Sequence, residues 1–599
     1  MAEAEKKSYT ISDIYQGGYS SLDPEKGYGN IFTGYRANIN QLAITTNPSN
    51  AAILKEFSDK ANLGVEHIEI EALDPKVFDA MPKQQLKEIN RLSKLTGVGI
   101  SFHGPLIEPS GMTQHGWNEA SRKAAERQIQ ESMERIHEAN PEDMVVNFHT
   151  SNFLPSAEIS KTKEGEQPQS GLIVDTQRGS VNIIPLKERY FPGENREVNL
   201  KEEIKRLNEE TWNEGVRHLA YNGDRAISYL AQGTPLAKIA EAEKKEGKEF
   251  SGSEELVARK KAEYNAGVAL LNDSYRQLKQ LYELSYKSGA EQDKKILEGF
   301  AKRIESYAKR IEEKPSSDES IMLREKILED GLDTFNKISP PQIVQSADEF
   351  MMKKSSESFG NAAFNVYKKF SKEKKNAPIM VIENPPANQQ FSRGEDVANM
   401  VKGAREQFVE RALKEGFSRG EAERQAEKLI GATWDVGHIN MLRKQGFEEK
   451  DIIKETEKIA PFVKHIHLSD NFGFEHTELP MGMGNVPLKE IMEKLGKKGF
   501  EAKKIIEAGD WWTKHLPQGA GQPFVPSLEG MGSPIYGMKM APYWNQALGL
   551  TQGYFGGYGQ MLPQGNYEIF GAGFSQLPAE LGGQRPGAQG SRMSGKPME

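Results

Sequence analysis

PIMVIENPP, residues 378–386, is an apolar run that ends in Glu383, and five other stretches repeat its form. GISFHGP (99–105) carries His103 and MVVNFHTS (144–151) carries His149. GATWDVGH (431–438) carries Asp435 and His438, VKHIHLSD (463–470) carries His467, and KIIEAGD (504–510) carries Glu507. Runs rich in Val and Ile read as buried strands. A charged or imidazole group at the carboxyl end of such a strand is poorly placed for a core. It is well placed for the mouth of a parallel barrel, where catalytic groups collect from several strands. His, Asp and Glu are also the ligands that borderline divalent metals prefer.

Working outward, strand and helix alternate. Strands are expected over 41–46, 65–71, 98–103 and 144–149, with helices over 83–95 and 118–139. The alternation stops near 151. It resumes at 378 with strands at 379–383, 432–435, 463–468 and 504–507, and one long helix over 395–430. Four strands before the gap and four after it predict an α/β fold, a closed (β/α)8 TIM barrel. The gap reads as a hairpin, GLIVD and SVNIIPL, followed by Lys/Glu-rich helix. Val268, Leu271, Tyr275, Leu278 and Tyr282 repeat at three and four residues, the seam of an antiparallel helical pair. The expected organisation is an irregular segment 1–40, a first half-barrel 41–150, a mainly helical insertion 151–376, a second half-barrel 377–515 and a tail 516–599. That tail holds 18 of the 56 glycines, a density that argues for flexibility rather than a packed core.

The chain has 599 residues, 27% charged and 37% hydrophobic, enough for a large core. A net charge of -8 gives no support to broad nucleic-acid or membrane attraction. There is no Cys, so any metal must bind through N and O. No stretch approaches a membrane span, the start lacks the apolar core of a signal peptide, and a cytoplasmic protein is expected.

Glu383, Asp435, His467 and Glu507 would end strands five to eight and converge on one side of the mouth. Three carboxylates and an imidazole there repel unless a cation sits among them. A divalent metal (Mn, Mg, Co or Zn) would relieve that cost and act as an electrophile. His103 and His149, ending strands three and four, are expected to bind a second ion or hold a substrate oxygen. His438 is placed near Asp435 as ligand, catalytic group or substrate contact, or equally as a structural hydrogen-bonding group, with Asn384 and His476 as further substrate contacts. Trp434 reads as barrel packing, and His465, deeper in its strand, as packing at least as readily as chemistry. His67 and His137 read as ordinary histidines, and Asp470, His476 and Glu478 as loop groups over the mouth.

At IEN (382–384), DVGH (435–438), HIHLSD (465–470) and IIEAG (505–509) the chain resembles the xylose isomerase-like TIM-barrel superfamily. That group joins sugar (phosphate) isomerases and epimerases with the AP endonuclease 2 (endonuclease IV) family. The resemblance covers roughly residues 40–150 and 376–512. It implies Glu383, Asp435, His467 and Glu507 as common metal ligands. NFHTS (147–151) looks like the endonuclease branch, and with His103 it would supply further zinc ligands. His476-Thr477-Glu478, where that branch has Asp-x-His, departs from its pattern and is closer to the epimerase type.

Three functions follow as expectations. The first is a divalent-metal-dependent isomerase or epimerase of a sugar or sugar phosphate, moving a proton through Glu383 and Glu507 by a metal-stabilised enediolate. The second is a zinc phosphodiesterase for abasic DNA, with Arg393, Arg443 and Lys444 as candidate phosphate contacts. The third is a degenerate barrel serving as a scaffold. No membrane partner is expected, and the helical insertion is a candidate for homo-oligomer formation.

Overall fold

The computed structural model describes residues 35, 42–47, 52–62, 65–139, 144–152, 170–186, 199–245, 254–387, 389–507, 527 and 531. The expectations for 1–34 and for nearly all of 516–599 fall outside these. Eight parallel strands close a barrel: β1 (Leu42–Thr45), β2 (His67–Glu71), β3 (Gly99–His103), β4 (Val145–His149), β5 (Ile379–Glu383), β6 (Ile430–Asp435), β7 (Val463–Leu468) and β8 (Lys503–Ile506). Each pairs with its sequence neighbour, and β8 closes on β1. Among the described residues no helix is long and apolar enough to cross a membrane.

The strands are buried on both faces, and period two sorts their side chains. Ile68, Ile70, Phe102, Val146, Phe148, Met380, Ile382, Trp434, Ile466 and Leu468 are buried apolar groups. Trp434 donates Nε1–H to Thr456 Oγ1 at 3.2 Å, on the surrounding helix Glu449–Ile459. The intervening positions are mostly polar, Val381 being an apolar exception. Glu69 on β2 meets His465 on β7 at 2.8 Å, and those strands are not neighbours, so this set lines the barrel interior.

The long helix expected over 395–430 is two, Gly394–Lys414 and Arg419–Leu429. Gly416 takes φ +88 between them. The Ser418 side chain then accepts from the Glu421 N–H and starts the second helix.

Contacts divide the chain into two compact units, with 167–348 as the second. The helix Ala347–Lys372, assigned from sequence to the insertion, instead flanks the barrel helix Glu119–Ile136. Asn361, Asn365 and Lys369 bond Glu126, Gln130 and Glu134, one contact per turn. The second unit holds a three-stranded antiparallel sheet, Val181–Pro185, Ser170–Asp175 and Val344–Ser346, and helices Leu200–Lys245, Glu254–Ser288, Glu291–Glu313 and Asp318–Phe335. The expected seam is its core: Leu271, Tyr275 and Leu278 are buried with Trp212, Leu219 and Leu230, and Val268 and Tyr282 pack against them. Gln277 reaches the Gly215 carbonyl while Gly267 lies beside Leu230, so the two long helices run antiparallel.

Candidate metal centre

Strand register sets the site. Glu383 lies level with His149 on β4, and Asp435 with His467 on β7. Glu71 is level with His103. One ligand atom from each of Glu383, Asp435, His467 and Glu507 lies within 4.8 Å of the others; the first three are fully buried and the Glu507 side chain keeps 12% of its surface exposed.

Local structure aims each group. Asp435 caps the short helix Val436–Asn440, its Oδ1 accepting from the His438 N–H at 2.7 Å. Its other oxygen, Oδ2, is buried with no hydrogen-bond partner among the described residues. Such an orphan is costly unless something outside the described side chains completes it. His467 Nδ1 stands 3.0 Å from Oε1 of Glu383 and 3.0 Å from Oε1 of Glu507. Three acidic groups, an imidazole nitrogen and an unpartnered carboxylate oxygen suit a divalent cation with N and O ligands.

Glu383 is the hub. Its Oε2 lies 3.2 Å from His103 Nε2 and 3.5 Å from His149 Nε2, and it accepts from Asn147 Nδ2. Its Oε1 lies 3.6 Å from His438 Nδ1. Burial alone would raise this carboxyl, but the charge of His467 and the bonds from His103 and His467 hold it well below the usual range. Burial, then the charge of Glu383, pushes Asp435 up to about 7. Burial also raises Glu507, against the pull of His467. Burial and Glu507 push Glu71 well above the carboxylate range.

The histidines divide. Burial opposes charge on His103, yet its bond to Glu383 and that group's charge lift it to about 10. Burial drops His149 to about 3, and burial with the neighbouring His476 drops His438 to about 3. Both are therefore neutral imidazoles near pH 7. His438 Nδ1 lies 2.8 Å from the Asn384 carbonyl, and its Nε2 lies 2.8 Å from His476 Nε2. His476 sits on the 470–486 loop and is not among the groups converging on the four-residue cluster.

Two expectations need correction. Asn384, read as a substrate contact, is 0% exposed and spends both amide atoms on the Asp435 backbone. Asp470, read as a group over the mouth, is buried inside its own loop. It accepts from the N–H groups of Asn471, Gly482 and Val486 and exchanges two backbone bonds with Leu479. A Cβ on Gly484 would stand 2.3 Å from Asp470 Oδ1, so the Gly-x-Gly pair serves close backbone approach.

Sequence reasoning missed Glu69, Glu71 and Asn147. The stretch HIEIE of β2 alternates polar and apolar residues, and period two puts His67, Glu69 and Glu71 on one face. Alternation of that kind usually marks a half-solvated strand; here all five residues are buried. His67 is likewise an interior group, 2.9 Å from Ser101 Oγ, whereas His137 stacks on Phe370 near the Asn376 carbonyl.

Residues 416–522 match the family model described as the xylose isomerase-like TIM barrel, a stretch that carries Asp435, His438, His467 and Glu507. Over 80 residues the chain is 30% identical to an uncharacterized protein of Methanocaldococcus jannaschii, covering 13% of this chain and 26% of that protein. The chain thus spans about a quarter of that relative's length. Similar solved structures include a D-tagatose 3-epimerase-like protein, at 13% identity and TM-score 0.31 over 78% of this chain and 89% of that one. An L-ribulose 3-epimerase aligns at 8% identity and TM-score 0.35 over 87% and 97%.

Proposed function

We propose, from a chain that carries a xylose isomerase-like TIM barrel, that it is a divalent-metal-dependent isomerase or epimerase of a small sugar or sugar phosphate. The observation that supports this best is the convergence of Glu383, Asp435, His467 and Glu507 within 4.8 Å. When bound there, a divalent ion would polarise a carbonyl and its neighbouring hydroxyl as a Lewis acid. The protein's own groups move the proton. Glu383 and Glu507 come from different strands and flank one imidazole nitrogen, so one takes the proton beside the carbonyl and the other returns it. Positioned acid–base groups of this kind contribute about 100-fold or more to a rate. His103, His149 and His438 ring the same carboxylate and would orient substrate hydroxyls.

The test is proton exchange. The protein with Mn2+ in D2O, incubated with a panel of aldoses, ketoses and their phosphates, is expected to incorporate deuterium beside the carbonyl of at least one, read by NMR. Absence of exchange across the panel, with the ion bound, rejects the reading.

A second reading is a zinc phosphodiesterase acting at abasic DNA. His103 and His149, 3.2 Å and 3.5 Å from Glu383, favour it as groups for further ions. It also needs cations free to face phosphates. Arg393, Arg443 and Lys444 instead lie 2.9, 3.2 and 3.8 Å from Glu455, Glu449 and Glu475. That pairing ranks it second, and cleavage of an oligonucleotide with one abasic site would reverse the order.

A further inference from the structure

Beneath the four-residue cluster lies a second polar layer that the proposed reaction does not use. Glu69, on β2, is 0% exposed and crosses the barrel to β7. Its Oε2 accepts from Ser101 Oγ at 2.7 Å and lies 2.8 Å from His465 Nε2. Ser101 Oγ in turn lies 2.9 Å from His67 Nε2. Glu69 Oε1 stands 2.9 Å from His467 Nε2, and among the described residues neither atom makes a hydrogen bond, so each is the nearest partner open to the other. His467 therefore faces Glu69 from below at Nε2 while its Nδ1 faces Glu383 and Glu507.

We infer that Glu69 is a positioning residue for the ion: with the ion bound it takes the Nε2–H of His467, 2.9 Å away, and so leaves Nδ1 with its lone pair toward the cluster. An imidazole that keeps its proton on one nitrogen is bare at the other, and a carboxylate behind the ring fixes which is which. Glu69, His465 and His467 also converge within 4.8 Å, as an ion site would. Oε2 of Glu69, however, already has Ser101 and His465 against it, which marks a hydrogen-bonded support. The inference rests on the ion site proposed above and is independent of which sugar, if any, is turned over.

The test is Glu69→Gln, whose amide can offer an N–H to His467 Nε2 and so favour the other tautomer. Titration calorimetry with Mn2+ is expected to give an affinity about 10- to 100-fold weaker than wild type. In the Zn2+-loaded, 15N-histidine-labelled protein, the His467 signal, assigned with His467→Asn, is expected to be Nε2–H in wild type and to lose that form in the variant. A purely structural role would lower the melting temperature of the metal-free protein without moving the tautomer. If circular dichroism shows Glu69→Gln unfolded, Glu69→Asp keeps the charge, withdraws it by one methylene and is read the same way. Equal Mn2+ affinity with an unchanged tautomer overturns the inference alone. A wild-type protein that takes up no Mn2+ overturns the ion site and the inference together.

Discussion

Asn384 and Asp435 hold each other by two reciprocal hydrogen bonds. Asn384 Nδ2 donates to the Asp435 carbonyl at 3.0 Å, and the Asp435 N–H donates to Asn384 Oδ1 at 2.8 Å. The side chain thereby continues the β5–β6 ladder past its last paired residues, Glu383 and Thr433. Two ligand-bearing strand ends are locked at one spacing.

Asn384→Ala removes both bonds and leaves the buried Asp435 N–H unpaired, while the Asp435 carbonyl keeps the first bond of the helix it caps. Such an unpaired group costs about 1–3 kcal/mol. Urea unfolding is expected to register a loss of roughly that size, with Mn2+ affinity about tenfold weaker because Asp435 is no longer held. Unchanged ion affinity in a destabilised variant would make Asn384 a fold residue only.

Ion uptake should depend on pH. Asp435 is pushed up to about 7 by burial and Glu383, and burial also raises Glu507. Below pH 7 Asp435 carries a proton that an entering cation must displace. Affinity is therefore expected to fall as pH drops from 8 to 6, by up to about tenfold per displaced proton per pH unit. Calorimetry in buffers of different ionisation enthalpy reads the released proton directly. A flat affinity over that range would mean that both carboxyls are already ionised.

Glu507→Gln keeps the volume and removes the charge of a group at the end of β8. Turnover is expected to fall by about 100-fold or more, while the thermal midpoint moves little. Retained exchange activity in this variant would take Glu507 out of the chemistry.

The barrel was legible because its strands are Val- and Ile-rich runs bounded by polar ends, and six of those ends carried ligand-type residues. Asp435 and Glu383 stood out for that reason. Glu69 did not, because it sits mid-strand in HIEIE, where its environment comes from β7, almost four hundred residues away in sequence. The role of Asn384 was equally hidden: an amide beside a ligand looks like a substrate contact until its partners are seen.

Composition also misjudged part of the tail. Ser527 and Met531 fall in the Gly-rich segment, yet both are 0% exposed, and Ser527 Oγ accepts from the Met481 N–H at 3.2 Å. Met481 lies on the loop that bears His476. Ending the chain after residue 516 is expected to lower the thermal midpoint and weaken activity several-fold, because a buried N–H loses its acceptor at a cost of about 1–3 kcal/mol. Ending it after residue 535 keeps both residues and should spare both properties. Equal behaviour of the two truncations would mean that Ser527 does not support the loop.

Lys504 supplies a pH signature away from the ligands. It is 0% exposed on β8, and its Nζ donates to the carbonyls of Phe500 and Ala502 at 3.2 and 3.1 Å. Burial, then the charge of Lys503, lowers it from 10.5 to about 8. Between those two values the unfolded chain holds a proton that the folded chain has given up. Stability from this group therefore rises with pH across that window, by up to about 1 kcal/mol per pH unit. Lys504→Met cannot titrate. The stability of wild type relative to the variant is expected to climb between pH 8 and pH 10 in paired urea unfolding curves, with pH effects common to both proteins cancelling. A constant difference across that range would mean that the Lys504 ammonium keeps its ordinary pKa despite its burial.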